Sequence, residues 1–273
     1  MKRILVPTDF SEQADNALRV AVQIAEKQEC EIYLLHSMEL PSHLANGTGG
    51  GAMPEALFFI KLAEKQFEEL AQKDYLQGVR LNQALGHGEI YNDIKEAAAN
   101  KEVDLVVMGS HGVNGFKEMF IGSNTEKVVR TSSIPVLVIK NSHPTFKTEN
   151  FVFATDFSEE CRNAFNDARK FAKKMNAKMH LLYVNTPSGF KTTPKAYELM
   201  ESFVKDMGAE NYTLNVYNDV SVEKGILGFA ADNKVDIIGM STHGRKGIAH
   251  FFNGSISEDL VNHAQMPVIT FKI

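Results

Sequence analysis

Short apolar runs alternate along the chain with longer stretches in which apolar residues recur every three or four positions. The runs Ile4–Val6 and Leu105–Met108 are almost continuously apolar, which is typical of parallel strands covered by helices on both faces. Residues 14–25 and 59–70 show helical spacing, whereas residues 79–85 alternate apolar and polar side chains, as an exposed edge strand does. The pattern predicts the order β-α-β-α-β-α-β-α-β, and therefore a doubly wound α/β fold with right-handed crossovers.

This order is present twice. The segment Pro7–Glu12 recurs as Ala154–Glu159, and the segment Val103–Gly112 recurs as Val235–Gly244. Because each copy contains the full set of strands and helices, we expect two five-stranded parallel sheets in tandem.

The repeat also indicates where the two copies begin and end. The early matches lie 147 positions apart and the later ones 132, so the first copy carries additional residues in its middle. Part of them form the glycine-rich stretch Gly47–Gly51, which we interpret either as a flap over a site or as an insertion without a role. A polar joint that contains a proline separates a predicted domain 1–141 from a predicted domain 149–273.

The residues with unusual chemistry gather where the predicted strands of the first copy end. Pro7-Thr8-Asp9 follows the first strand, and Gly109-Ser110-His111-Gly112 follows the fourth. After nine intervening residues, Gly122-Ser123 stands at the start of the fourth helix. Glycines permit close approach of the backbone and a positive φ, and a helix N-terminus adds N–H donors and partial positive charge. These parts predict a cradle for a nucleotide, in which Asp9 accepts from a ribose or base donor or helps to hold a divalent cation.

On these residues the sequence resembles a tandem member of the universal stress protein family, over essentially the whole chain. The nucleotide-binding branch of that family has the pattern Gly-x2-Gly-x9-Gly-Ser/Thr, which Gly109, Gly112, Gly122 and Ser123 satisfy. The resemblance implies the strand order 3-2-1-4-5 and bound ATP, with or without Mg²⁺. The phosphates of the ATP would lie on the glycine loop and its nucleoside near Thr8, Asp9 and Ser37. The implied ATP-binding residues are Pro7, Thr8, Asp9, Ser37, Met108, Gly109, Gly112, Gly122, Ser123, Asn124 and Thr125.

The second copy departs from this pattern. Ser241 stands where the first glycine is expected, and Ala154 replaces the proline of the first copy. The Cβ of Ser241 would obstruct a phosphate or forbid a positive φ, or its hydroxyl would add a donor. We therefore expect a weak second site made of Thr155, Asp156, Gly244, Gly254 and Ser255, and asymmetric occupancy of the two halves.

Simpler structural roles account for some of the same residues. Ser123 and Glu126 have the spacing of a capping box, so Ser123 is also a candidate for an N-cap without any ligand. Asp9 is a candidate for helping to cap the first helix, although Ser11 is the better candidate for that role. We assign no catalytic residue, because neither His111 nor His243 has an evident nucleophile and orienting carboxylate beside it.

Composition narrows the set of partners and compartments. Lys and Arg total 29 against 34 Asp and Glu, a net charge of −5, which argues against a nucleic-acid partner. Since no apolar run approaches the roughly 20 residues of a membrane span, we expect no membrane partner either. The two cysteines, Cys30 and Cys161, suit a reducing compartment and so a cytoplasmic location.

Assembly and function remain as competing hypotheses. The strongly apolar fifth strands, residues 134–140 and 266–273, would invite aggregation as bare edges. Since members of the family that the sequence resembles often dimerise through this strand, the resemblance implies that the two strands pair with each other as an internal pseudo-dimer. A further homodimer is left open. The leading function is a cytosolic stress-response or signalling protein that binds ATP in its first half. The alternatives are a slow ATP hydrolase and a non-nucleotide interaction module of the same fold.

Overall fold

The computed structural model describes residues 1–38, 52–111, 121–205, 207–208, 210–242 and 260–273. The first half contains β1 (Arg3–Pro7), α1 (Glu12–Gln28), β2 (Glu31–Ser37), α2 (Ala52–Ala71), β3 (Leu81–Gly86), α3 (Ile90–Asn100), β4 (Leu105–Gly109), α4 (Ser123–Thr131) and β5 (Val136–Ile139). The second half contains β6 (Asn150–Ala154), α5 (Arg162–Met175), β7 (Lys178–Asn185), α6 (Thr193–Val204), β8 (Tyr212–Asn218), α7 (Val222–Asp232), β9 (Ile237–Thr242) and β10 (Val268–Lys272). Short 3₁₀ turns occupy Asp74–Leu76, Glu159–Cys161 and Pro187–Gly189, and residues 260–263 are helical.

The ten strands form one continuous sheet. Their order is β3-β2-β1-β4-β5-β10-β9-β6-β7-β8, so each half has the order 3-2-1-4-5 and is parallel within itself. The predicted α/β fold is therefore confirmed. The two halves meet where β5 and β10 pair antiparallel, with Leu137 opposite Ile269.

Burial follows the hydrophobic pattern of the strands. All four residues of β5 and four of the five residues of β1 are buried, whereas β3 and β8 are largely half-buried or exposed at the two ends of the sheet. The predicted edge strand of the first half is thus confirmed as β3. The helix α1 begins where expected, because Ser11 is its N-cap and its hydroxyl accepts from the N–H of Ala14.

The two cores are packed differently around the same sheet position. In the second half, a Cβ on Gly239 would lie 2.5 Å from the ring of Phe151, which is fully buried. At the corresponding positions of the first half, Val107 and Ile4 share the same core cluster. A large residue in β6 and a small one in β9 therefore replace two medium residues of β1 and β4.

Two lysines cross the seam between the halves. Lys140 follows β5 and donates its Nζ to the main-chain oxygen of Asn262 in the second half. Lys272, at the corresponding position of the second half, donates its Nζ to the main-chain oxygen of Arg130 at 3.5 Å. Each lysine thus satisfies a carbonyl near the C-terminal end of a helix of the opposite half, where a positive charge is favourable.

Burial makes the stability contributed by Lys140 depend on pH. Burial lowers the pKa of Lys140 from its usual 10.5 to about 8, so between these values the folded chain binds fewer protons than the unfolded chain. The free energy of unfolding should therefore rise with pH across this window in the wild type. Lys140→Met should remove that rise, as urea unfolding at pH 7 and at pH 9.5 would show. A wild-type protein and a variant with parallel pH profiles would contradict the assignment.

Candidate functional site

A turn directly after β1 is built from its own side chains. The hydroxyl of Thr8 accepts from the N–H of Phe10 at 3.0 Å, and the carboxylate of Asp9 accepts from the N–H of Ser11 at 3.1 Å. Thr8 is buried, whereas Asp9 is half-exposed at the mouth of the turn. The structural role considered for Asp9 is therefore real, but it leaves the residue at the carboxyl edge of the sheet, where a ligand would sit.

Phe10 has a backbone conformation that bulky residues rarely adopt. Its φ is 62°, and Phe157, its counterpart in the second half, has a φ of 60°. The ring of Phe10 lies 4.7 Å from that of His36 and 5.3 Å from that of Phe67, measured between centroids. His36 in turn lies against the Thr8 carbonyl, with its Nδ1 2.8 Å from that oxygen. These contacts stabilise the strained backbone conformation of Phe10, which recurs at Phe157 in the second half. Strained backbone of this kind persists only where the surrounding structure holds it in place.

Gly109 ends β4 beside this turn, and its lack of a side chain has a reason other than the one expected. A Cβ there would lie 2.9 Å from the main chain of Gln13, in the first turn of α1. Its φ is not positive, since the glycines with positive φ among the described residues are Gly78 and Gly208. The interpretation that this glycine supplies a positive φ was wrong. Gly109 instead allows α1 to pack closely on the end of β4.

Gly109→Ala should consequently destabilise the fold. Because the obstacle is backbone, α1 must shift, and overpacking of this kind typically costs about 1–3 kcal/mol of unfolding free energy. Ser241→Ala, at the equivalent position of the second half, is the matched control and should cost less. Urea unfolding of both variants would test this, and equal stabilities for Gly109→Ala and the wild type would refute it.

The chain returns to the sheet edge through three internally bonded amides. The N–H of Ser110 donates to the Ile139 carbonyl at 3.0 Å, and the N–H of Gly122 donates to the Ser110 carbonyl at 2.8 Å. The N–H of Ile121 donates to the side-chain oxygen of Asn262, from the other half, at 2.6 Å. These three amides are therefore occupied and are not donors to a ligand. Gly112 lies outside the described residues.

Further main-chain donors lie at the start of α4. Gly122 is the N-cap, with φ −62° and ψ 146°, and no side chain among the described residues caps this helix. The prediction that the helix begins at Ser123 is confirmed, but the proposal that Ser123 is its N-cap was wrong, since it is the first helical residue. In an α-helix the first-turn N–H groups, here of Ser123, Asn124 and Thr125, have no acceptor within the helix. Because the capping residue is glycine, no side chain at that position supplies one.

The side chains at this helix start have different surroundings. Ser123 and Asn124 are exposed, whereas Thr125 is buried and donates its hydroxyl to the Gly109 carbonyl at 3.0 Å. Thr125 thus ties α4 to the end of β4, and only its main-chain N–H faces the helix terminus. The exposed hydroxyl of Ser123 lies beside these first-turn amides, which are donors of the type that binds anions at helix N-termini.

A buried side-chain hydroxyl, that of Ser37, lies at the end of β2. The hydroxyl oxygen of Ser37 is buried and has no hydrogen-bond partner among the described residues. Ser37 pairs in register with Gly86 of β3, next to the end of β1. A buried hydroxyl without a partner is costly, and a ligand group at this edge would satisfy it. Pro7 and Met108, which the sequence also predicted as binding residues, are buried near the carboxyl ends of β1 and β4.

The second half repeats the turn but fills the space beside it. Thr155 accepts from the N–H of Phe157 at 3.3 Å and Asp156 from that of Ser158 at 3.0 Å, as in the first half. Cys161 then donates its thiol to the carboxylate of Asp156 at 3.2 Å. Burial raises the pKa of this thiol, which keeps it protonated as a donor. Asp156 thereby accepts from a cysteine thiol, whereas Ala14, which has no thiol, occupies the position of Cys161 in the first half.

Ser241 corrects a further expectation. It is fully buried, and its hydroxyl lies 3.6 Å from the sulfur of Cys161. Its side chain therefore neither blocks a ligand nor offers it a donor. Gly244, Gly254 and Ser255 lie outside the described residues, as do His243 and the Gly47–Gly51 stretch.

The described part of the chain supports neither a metal site made of protein side chains nor a membrane-spanning helix. Its His, Cys, Asp and Glu side chains form no cluster of three that could hold a metal ion. None of its helices is both long and apolar enough to cross a membrane. Metal chemistry at the first site would therefore rest on Asp9 together with groups of a ligand.

Sequence reasoning missed three participants in this site. Phe10 carried a signal, because it recurs as Phe157 in both copies of the turn, but its positive φ was not anticipated. His36 had no distinguishing spacing. Asn262 could not be found from the repeat, because the corresponding residue of the first half is Arg130.

Comparison with known proteins agrees with this architecture. A model of the universal stress protein family matches residues 1–140 and again residues 147–272. The chain belongs to the universal stress protein family. The double match and the repeated fold make it a tandem member, with one family domain in each half.

Relatives of this tandem universal stress protein are of two lengths. The universal stress protein Slr1230 of Synechocystis is 23% identical over 293 residues, and the match covers 100% of both chains. The universal stress protein YxiE of Bacillus subtilis is 31% identical over 152 residues, which are 50% of this chain and 98% of that protein. Among solved structures, a universal stress protein from Archaeoglobus fulgidus matches with a TM-score of 0.70 and 24% identity, over 99% of this chain and 96% of that one. At this identity, the last match concerns the fold.

Proposed function

We propose that this universal stress protein binds ATP in its first half and acts as a cytoplasmic stress-response or signalling protein whose state depends on that nucleotide. The observation that carries the proposal is the first turn of α4 at the carboxyl edge of the sheet, where the N-cap is a glycine and the main-chain N–H groups have no acceptor among the described residues. Phosphate oxygens are suitable acceptors for such donors. Gly109, Gly112, Gly122, Ser123, Asn124 and Thr125 would surround the phosphates.

The nucleoside would lie across the ends of β1 and β2. There Asp9 offers a carboxylate oxygen to a ribose or base donor, and the buried hydroxyl of Ser37 lacks a partner among the described residues. Pro7, Thr8 and Met108 would form the floor beneath it. If Mg²⁺ accompanies ATP, Asp9 is the carboxylate of this set that would reach it, with the phosphate oxygens supplying the other ligands.

The second site, made of Thr155, Asp156, Gly244, Gly254 and Ser255, is proposed to be degenerate. The contact of Cys161 with Asp156 supports this asymmetry, because the thiol occupies a carboxylate oxygen of the second turn and the first half has Ala14 at the position of Cys161. A ligand regulates a protein only through different affinities for two states, and one occupied half can bias the other across the shared sheet.

The assembly belongs to the same proposal. Domain 1–141 and domain 149–273 would act as an internal pseudo-dimer through β5 and β10, whose antiparallel pairing supports this arrangement. Pairing removes both strands from the set of exposed edges. Any homodimer would then use another surface.

Isothermal titration calorimetry with ATP, ADP and adenosine tests the proposal. We expect about one ATP per chain, and weaker binding as phosphates are removed, because the open amides recognise the phosphates. Nucleotide recovered unchanged after hours of single-turnover incubation would support a switch, whereas rapid conversion to ADP would favour an ATP hydrolase. A protein that binds none of the three ligands would instead be a non-nucleotide interaction module, and the proposal would be refuted.

A further inference from the structure

We infer that the second half of the chain completes the nucleotide site of the first half, with Asn262 as a positioning residue for the loop that enters α4. The inference rests on the proposed function, because it concerns how that site is held in shape. It assigns Asn262 no contact with the nucleotide itself.

The two residues directly before α4 are held at their amides by partners from opposite halves. Gly122 donates its N–H to the Ser110 carbonyl of its own half at 2.8 Å. Its neighbour Ile121, which is 9% exposed, donates its N–H to the side-chain oxygen of Asn262 at 2.6 Å. Since Gly122 is the N-cap of α4, these two bonds set the path of the chain into the helix whose first-turn amides are open.

The group that holds the loop is itself anchored in the first half. Lys140 follows β5 and donates its Nζ to the main-chain oxygen of Asn262. The result is a circuit of contacts between the halves. Lys140 joins β5 to Asn262, and Asn262 in turn joins Ile121, directly before the N-cap of α4. A displacement of helical residues 260–263 relative to β5 would therefore move Ile121 and the start of α4.

This circuit is not a simple product of the repeat. The lysine contact occurs twice, because Lys272 reaches the Arg130 carbonyl in the equivalent way. The side-chain contact differs, because Arg130 stands at the position that corresponds to Asn262. An arginine side chain has donors but no acceptor for an N–H group, so it cannot hold the opposite loop as Asn262 holds Ile121. Asn262 of the second half therefore supports the site of the first half, whereas Arg130 cannot support the second half in the same way.

Asn262→Ala should therefore weaken ATP binding by about tenfold, because residues 121 and 122 would lose one of their two anchors and ATP binding would have to order them. Adenosine affinity should stay at the wild-type value, because adenosine has no phosphates for the amides of α4. Hydrogen exchange at the Ile121 amide should become faster in the variant. Asn141→Ala is the matched control, since Asn141 also donates across the seam, to the Gln265 carbonyl at 3.2 Å, but lies outside the loop circuit.

The outcomes separate this inference from the proposed function. Wild-type ATP affinity in Asn262→Ala would overturn the inference and leave the proposed function standing. An equal loss for ATP and adenosine, or an equal loss in Asn141→Ala, would also overturn it, because it would indicate general loosening of the seam. If the wild type itself binds no ATP, both proposals fall.

Discussion

Ser123→Pro should lower the affinity for ATP by roughly 10- to 100-fold, which is the loss expected when a hydrogen bond from a main-chain amide to a charged phosphate is removed. Proline has no N–H, so the substitution deletes one donor of the α4 terminus. The helix itself should persist, because proline is favoured at the first helical position. The φ of −62° and ψ of 146° at Gly122 already suit a residue that precedes proline.

Ser123→Ala provides the matched comparison for this variant. It removes the exposed hydroxyl but keeps the amide, so it should lose only a small part of the affinity. Calorimetry on both variants, together with circular dichroism to check the helix content, would distinguish the two donors. If Ser123→Pro binds ATP as tightly as Ser123→Ala, the amide is not part of the site.

Gly239→Val should destabilise the second half by about 3 kcal/mol, at the upper end of the usual cost of overpacking a core. The added Cβ would lie 2.5 Å from the ring of Phe151, which is fully buried, so the ring or the strand must shift. The substitution copies the residue that the first half has at this position, Val107. Urea unfolding followed by circular dichroism would measure the loss.

The double variant Gly239→Val/Phe151→Ile should recover most of this stability. It reproduces the pair Ile4 and Val107, which the first half packs in the same core cluster. Phe151→Ile alone should be destabilising because it leaves a cavity, so a double-mutant cycle should give a coupling energy of about 2 kcal/mol. Additive single effects would show that the two positions do not compensate for each other.

The fold was predictable because its signals are local and repeated. The apolar runs identified the strands, the alternation at residues 79–85 identified the edge, and Ser11 was identified as the first N-cap from its residue type and position. The strand order came from the family resemblance rather than from periodicity. The repeat then transferred each assignment from one half to the other.

The chemical reasons behind the site residues were less predictable, because they depend on contacts between distant segments. Gly109 is needed by the approach of Gln13, which no spacing in β4 reveals. Ser123 and Glu126 have capping-box spacing, yet the cap falls one residue earlier, on a glycine. Asn262 reaches the first site from the other half, at a position where the two copies differ, so comparing the copies gives no indication of it.

The same limitation applies to the second site. The replacement of glycine by Ser241 suggested an obstruction, but the side chain points into the core and lies next to Cys161. The difference that the structure shows between the two turns is instead the thiol of Cys161 at Asp156, which the sequence shows only as one cysteine replacing one alanine.

Amide NMR during an ATP titration tests the central claim most directly, because it reports which main-chain N–H groups meet the ligand. The account predicts that the resonances of Ser123, Asn124 and Thr125 shift together with that of Asp9, while that of Asp156 stays in place. Saturable shifts confined to the second half, or an unchanged α4 terminus in the presence of bound ATP, would contradict it.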